Sequence, residues 1–145
     1  MKQKFMDLLQ TDSANWGSLI MRVPLGLALM AHGWGKLFNE GQPQAFADAL
    51  KSLGAEPSYF LAVLTGLSET VGGGLLVIGL LSRLSALSNA IVMVTAIVLA
   101  HLKQPMFGQG SFELQILMLA AAVMLLIHGG GKLSLDAMIS KYLAK

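Results

Sequence analysis

Four long apolar segments, separated by short polar ones, dominate this 145-residue chain. About 20 apolar residues are enough for a helix to cross the hydrocarbon layer of a bilayer. The pattern therefore predicts four membrane-spanning helices, at about residues 16–38, 59–81, 84–102 and 112–128. The last is close to the minimum length for crossing, so we expect its ends to lie near the two interfaces.

The shorter segments between and beside these spans predict helices at the membrane surface. Residues 43–53 have helical spacing of apolar positions, and Gly54 follows as a stop signal. Ser82, in the tight turn between the second and third spans, is a candidate N-cap. The fold class predicted is an all-α membrane protein, a four-transmembrane-helix bundle with short interfacial helices. Its parts are a cytoplasmic amphipathic leader (1–15), a four-helix transmembrane domain (16–133) and a cytoplasmic amphipathic tail (134–145).

Composition supports lipid as the main solvent and excludes several classes of chemistry. Hydrophobic residues make up 54% of the chain and charged residues 12%, whereas soluble domains carry about 25% charged residues. The net charge of +2 comes from scattered lysines, which favours a membrane and not a nucleic acid as partner. The absence of cysteine excludes thiol and zinc-thiolate chemistry, and no nucleotide-binding or hydrolase motif is present. The chain by itself thus carries no catalytic motif and is at most a subunit of an oxidoreductase complex.

Basic residues near the spans predict the orientation. One side of the predicted topology holds Lys2, Lys4, Arg83, Lys132, Lys141 and Lys145. The other side holds Lys36, Lys51 and Lys103. The richer side should be cytoplasmic, which places both termini inside a multi-pass protein of the cell (inner) membrane. Lys2 and Lys4 also suit a signal peptide, but the first apolar run contains Arg22 and lacks a cleavage site, so we expect it to be retained.

Two ionisable residues, Arg22 and Glu69, lie deep within predicted spans, where such residues are costly and often functional. Gly66, Glu69 and Gly73 share one helical face, whose small residues allow close packing. On the first span a second set falls within roughly a 120° arc and predicts the facing surface. That set is Arg22, Gly26, His32, Gly33 and Lys36. Either Arg22 and Glu69 form a structural pair, or Glu69 binds a proton, a ligand or a cation.

The predicted topology also gathers titratable residues at the outer side, above Glu69. They are His32, Lys36, His101 and Glu113. A quinone headgroup or another small polar ligand could be hydrogen-bonded there. Metal ligation by His32, His101 and Glu113 lacks the local spacing of known metal motifs, so no metal site is predicted. The simpler interpretation is that these polar residues serve helix ends at the interface.

An internal echo joins HGWGKL (His32–Leu37) and HGGGKL (His128–Leu133). Glycine after a helix stops it, and lysine neutralises the C-terminal dipole. We therefore interpret both copies as helix-end devices. An inverted-repeat transporter would also predict such an echo.

Three of these segments together resemble the DoxX family of small bacterial membrane proteins. RVPLGLALMAHGWGKLF (Arg22–Phe38) resembles the family's first span, and SETVGGGLLVIGLLSRLSAL (Ser68–Leu87) its second. HGGGKLSLD (His128–Asp136) is similar to its closing Gly-x-Gly-x-x-Ser-x-Asp motif, with Gly130 in place of the usual proline.

The resemblance implies four membrane helices in a bacterial or archaeal cell membrane and a link to respiratory or oxidative-stress biochemistry. Some members are described as subunits of thiosulfate:quinone oxidoreductase or quinol oxidase complexes, and others are linked to resistance to quinones, catechols or thiol stress. The leading hypothesis is a non-catalytic subunit or a binder of a small quinone-like ligand. The alternatives are a small-solute or proton transporter and a purely structural membrane partner of an enzyme. A redox enzyme subunit and a second copy of the chain are the candidate protein partners.

Overall fold

The computed structural model describes residues 16–101, 105, 106, 108 and 111–143. Six α-helices make up most of this part of the chain: α1 (Trp16–Phe38), α2 (Gln44–Ser52), α3 (Ser58–Ile78), α4 (Ser82–Ala96), α5 (Glu113–His128) and α6 (Leu135–Leu143). A π-helical turn, Ile97–His101, continues α4. These ranges contain no β-strand, so the all-α prediction is confirmed. The predicted leader (1–15) and Lys103 lie outside the described residues.

Two of the described helical segments are long and apolar enough to cross a membrane. These are Ser58–Ile78, with 21 residues, and Ser82–Ala100, with 19. Helix α5 is apolar but has 16 residues, and α1 has 23 residues but carries Arg22 and Lys36.

The side chains are distributed with apolar groups outside and several charged groups inside. Ile20, Leu117 and Ile127 are each more than 60% exposed, whereas Arg22 and Glu69 are buried. Since water would disfavour such an apolar exterior, this distribution is typical of a bundle surrounded by lipid. The apolar centre of the bundle is formed by Leu25, Leu29, Leu76, Ala86, Ala90, Met93, Met118, Ala121, Ala122 and Leu125.

Helices α1 and α3 approach each other through glycines. A Cβ atom added to Gly26 would lie 2.6 Å from the carbonyl oxygen of Gly73, and one added to Gly33 would lie 2.7 Å from that of Gly66. Such distances are shorter than real side chains tolerate, so the backbones can meet only because these positions have no side chain. The predicted close packing on the Gly66–Gly73 face is confirmed.

The two copies of the echo have different structural roles. His128 is the last residue of α5, and Gly129 follows it with φ +75°, so the second copy ends a helix as predicted. The first copy lies inside α1, which continues to Phe38. The glycines of HGWGKL therefore do not stop the helix, and Gly33 is a packing position against α3. Lys36 does lie in the last turn of α1, as expected.

The segment after α5 is hydrogen-bonded to the turn between α3 and α4. The Asp136 carboxylate accepts hydrogen bonds from the backbone N–H groups of Leu81, at 2.7 Å, and Ser82, at 2.8 Å. It thereby caps the N-terminus of α4, where an anion is favoured. Ser82 makes no side-chain cap, so its predicted N-cap role is wrong. Ser134 does cap α6, accepting from the Ala137 N–H at 3.2 Å.

Candidate functional site

Lys36 of α1 and Glu69 of α3 form an ion pair in the bundle. The Lys36 ammonium lies 2.5 Å from Oε1 and 2.6 Å from Oε2 of Glu69, donating to both carboxylate oxygens. The Glu69 side chain is 1% exposed and that of Lys36 is 28% exposed. The Glu69 carboxylate is thus buried in the protein, whereas part of the Lys36 side chain is exposed.

Local helix geometry explains how the two residues meet. Glu69 lies near the middle of α3, whereas Lys36 lies near the end of α1. Side chains on a helix point back towards its N-terminus, so the long lysine side chain reaches along α1 towards the middle of the bundle. Its ammonium also lies 5.2 Å from the centre of the Phe46 ring of α2. The cation therefore has both a carboxylate and an aromatic ring as neighbours.

Arg22 does not pair with Glu69, and the predicted structural pair is wrong. Its guanidinium donates instead to the carbonyl oxygens of Leu76 (3.1 Å), Val77 (2.8 Å) and Leu133 (2.9 Å). Two of these carbonyls belong to the last turn of α3, whose partial negative charge attracts a cation. Arg22 therefore stabilises the junction between α3 and the segment after α5.

An apolar layer separates the two charged sites. Arg22 and Lys36 are about four turns apart on α1, or about 21 Å. Leu25 and Leu29 of α1, with Leu76 of α3, are buried among the core residues. A continuous polar axis from Arg22 through Glu69, expected from the sequence, is therefore interrupted.

The remaining predicted site residues are not assembled around the ion pair. His32 is exposed on α1, because Gly33 occupies the adjacent position that faces α3. Glu113 is exposed at the start of α5. His101 lies in the π-helical turn, and its side chain lies outside the described part of the molecule. Within the described residues, no group of three His, Asp or Glu side chains is placed to hold a metal ion.

A buried polar cluster between α3 and α4 was not predicted from the sequence. The Asn89 amide nitrogen donates to the carbonyl oxygens of Ser85, at 2.9 Å, and Ser68, at 3.4 Å. The hydroxyls of Ser68 and Ser88 are hydrogen-bonded at 2.6 Å. Asn89 Oδ1 is buried and has no hydrogen-bond partner. The signal available was the spacing of Ser82, Ser85 and Asn89, which places three polar residues on one face of an apolar span.

Comparison with known proteins gives consistent matches. The family model described as DoxX matches residues 17–102. A Bacillus subtilis protein named "Putative oxidoreductase CatD" is 32% identical over 126 residues, covering 86% of this chain and 88% of that protein. A Mycobacterium tuberculosis protein named "Uncharacterized membrane protein Rv3486" is 33% identical over 136 residues, covering 85% of this chain and 81% of that protein. No solved structure matches the chain.

Proposed function

The chain belongs to the DoxX family of membrane proteins, and on that premise we propose that it binds a quinone-like small molecule at the Lys36–Glu69 pair. It would act in redox or oxidative-stress metabolism as a ligand-binding, non-catalytic subunit. The redox assignment is supported by the name of the Bacillus relative, a putative oxidoreductase. Since this chain carries no catalytic motif of its own, a partner enzyme would perform the electron transfer.

The observation that carries this proposal is the unequal burial of the ion pair. Glu69 is 1% exposed and the Lys36 side chain is 28% exposed, so the pair is reached from outside the bundle along the lysine and not along the glutamate. An ammonium donates hydrogen bonds and a carboxylate accepts them. Together they can bind the carbonyl oxygen of a quinone and the hydroxyl group of the reduced quinol.

We further propose that α1, α3, α4 and α5 each cross the membrane, with both termini in the cytoplasm. The two cations of α1 support this, because the terminal nitrogens of Arg22 donate to three carbonyl oxygens and Lys36 pairs with Glu69. Each cation thus has partners within the protein. Helix α5, at 16 residues, is about 24 Å long and suits a thin bilayer or local thinning.

Transport of a proton or small solute is the second candidate function. An ionisable group in the middle of a span favours it, because such groups often line ion pathways. The layer of Leu29, Leu76 and Leu125, all fully buried, would have to open for a solute to pass from Glu69 to the Arg22 end. A structural partner of an enzyme is the third candidate.

A binding titration on the purified protein in lipid nanodiscs tests the proposal. We expect Glu69→Gln and Lys36→Met each to weaken the binding of a short-chain quinone about 10-fold or more, because a hydrogen bond to a charged group contributes about 1.5–3 kcal/mol. The matched controls are Glu40→Gln and Lys51→Met, which change exposed residues of the same types.

The outcomes separate the candidates. Unchanged quinone affinity in both site variants removes the site assignment. Solute-dependent flux in liposomes that Glu69→Gln abolishes favours transport. Stoichiometric copurification with an enzyme, without ligand binding by the chain alone, favours the structural role.

A further inference from the structure

The outward side of α5 carries a shallow apolar groove of about 480 Å³. Met118, Ala121 and Leu125 of the same helix are buried in the core of the bundle. The groove lies on the opposite side of α5 and extends from Ile116 to His128. At 1.5 Å per residue its length is about 18 Å, close to the depth of about 15 Å that one leaflet of the hydrocarbon layer has.

The lining of this groove suits a flexible hydrocarbon chain better than a second helix. Bulky or branched side chains such as Leu119, Val123 and Ile127 form most of it, and Ala120 is its one small residue. Helices in membranes approach each other closely through rows of small residues, as α1 and α3 do through their glycines. Because this face of α5 has no such row, an acyl chain fits it better than the helix of another protein chain does.

A cation lies at the end of the groove where α5 stops. Arg83, the second residue of α4, donates from Nη2 to the carbonyl oxygen of Ile127 at 2.9 Å. Ile127 and His128 both line the groove, so the guanidinium is next to its end.

The positive charge of Arg83 is not neutralised by a neighbouring carboxylate. Within the described part of the chain Arg83 forms no ion pair. The Asp136 carboxylate, which is bonded to the backbone of the adjacent Ser82, already accepts two backbone N–H groups. A guanidinium has five N–H donors, so Arg83 can bind an anion while it keeps its bond to Ile127.

We propose that α5 and Arg83 form a binding site for an anionic phospholipid, with an acyl chain in the α5 groove and the phosphate at the Arg83 guanidinium. Arginine binds phosphate through charge-assisted hydrogen bonds, and basic residues at the membrane boundary recognise anionic head groups. The site lies on α4 and α5, whereas Lys36 and Glu69 lie on α1 and α3. It is therefore independent of the proposed quinone site.

Native mass spectrometry of the purified protein tests the head-group contact with two lipids of identical acyl chains, dioleoyl phosphatidylglycerol and dioleoyl phosphatidylcholine. We expect the wild type to bind phosphatidylglycerol about 5-fold more tightly, because only its head group carries a net negative charge for Arg83. Arg83→Met should abolish this preference, and Arg83→Lys, which keeps the charge, should retain part of it. Lys141→Met is the matched control, because it removes an exposed cation of α6 and should leave the preference unchanged.

Ala120→Trp tests the groove independently of the charge. The indole fills the groove and should weaken the binding of both lipids about 5-fold, because the acyl chain loses apolar contact. Ala31→Trp, at an exposed position of α1, is the matched control and should leave both affinities unchanged. Circular dichroism verifies that each variant is folded, and Ala120→Trp decides the test if Arg83→Met is not.

Four outcomes overturn the proposal. Equal affinity of the wild type for the two lipids, or a preference that persists in folded Arg83→Met, removes the head-group contact. Unchanged lipid affinity in Ala120→Trp removes the groove as the position of the acyl chain. Displacement of phosphatidylglycerol by soluble glycerol 3-phosphate identifies a site for free phosphate, and a wild-type dimer that Ala120→Trp dissociates identifies a second copy of the chain as the occupant.

Discussion

At the scale of single residues, the charged side chains of Lys36 and Glu69 differ in how deeply they are buried. Glu69 is 1% exposed and Lys36 is 28% exposed, so of the two only the lysine side chain can contact water or lipid headgroups. A charge that loses its partner costs most where nothing replaces that partner. The two residues are therefore expected to respond differently to substitution.

Removing the lysine should destabilise the protein more than removing the glutamate. Lys36→Met leaves the buried carboxylate without its cation, and we expect a loss of about 1–3 kcal/mol in the free energy of unfolding. Glu69→Gln leaves an ammonium that is already partly exposed, and the loss should be smaller. Reversible unfolding in mixed micelles measures both.

The double variant Lys36→Met/Glu69→Gln provides the control for this prediction. It should recover part of the stability that Lys36→Met loses, because no unpaired charge remains. Equal losses of unfolding free energy for the two single variants would contradict the assignment of Glu69 as the buried member of the pair.

Arg22 provides the second test at this scale. Arg22→Lys removes the planar guanidinium that reaches three carbonyl oxygens, and it should lower the free energy of unfolding by about 2 kcal/mol. The matched control is Arg83→Lys, since among the described residues Arg83 donates to one carbonyl oxygen, that of Ile127, at 2.9 Å. Thermal unfolding followed by circular dichroism measures both. A larger loss for Arg83→Lys would contradict the junction role of Arg22.

At the scale of helices, the contact between α1 and α3 depends on the absence of side chains. Gly73 lies against the Gly26 carbonyl oxygen, at 2.6 Å from an added Cβ, whereas its neighbour Gly74 has Met30 Sδ as its nearest atom, at 3.8 Å. Two adjacent glycines therefore differ in their surroundings although the sequence presents them alike. Lys36 can reach Glu69 only while this contact sets the spacing of the two helices.

Alanine at the two positions should have opposite outcomes. Gly73→Ala should destabilise the bundle by about 1–3 kcal/mol, because an extra methyl group is forced into a packed contact. Gly74→Ala should be neutral or slightly stabilising, since alanine favours helix more than glycine does. Chemical unfolding of the two variants decides the matter, and similar midpoints would contradict the close approach of α1 and α3.

At the scale of the whole molecule, the proposed topology places α2 outside and α6 inside the cell. The chain contains no cysteine, so single cysteines can be introduced without a background. Lys51→Cys, on α2, should react with a membrane-impermeant maleimide in intact cells. Lys141→Cys, on α6, should react only after the membrane is opened. Labelling of both in intact cells would contradict the four-span topology with cytoplasmic termini.

Much of the fold could be predicted because helices in lipid are specified locally. The length of an apolar run and the positions of helix stops are readable along the chain, and Gly54 and Gly129 both follow helix ends. The DoxX resemblance, confirmed by the family model over residues 17–102, rested on motifs that the sequence displays directly. The division into leader, transmembrane domain and tail stays a prediction.

The candidate site was predictable only in its members. Glu69 was found because a carboxylate in an apolar span is conspicuous, and Lys36 because it shares the glycine face of α1. Asn89 was not predicted because a neutral amide costs less to bury in an apolar span than a charge does, and so it is a weaker sign of a functional site. His32 was assigned to the interior because a difference of 100° between adjacent helical positions cannot be resolved without the facing helix.

By itself, the sequence determined that the chain is helical, apolar outside and a member of its family, since these follow from local period, composition and motif. Only the tertiary structure decided that Glu69 pairs with Lys36 and not with Arg22. Both cations lie on the glycine face of α1, and the choice between them depends on the axial register of α1 against α3. The connection through α2 does not determine that axial register. The contacts of Gly26 and Gly33 with α3 determine it.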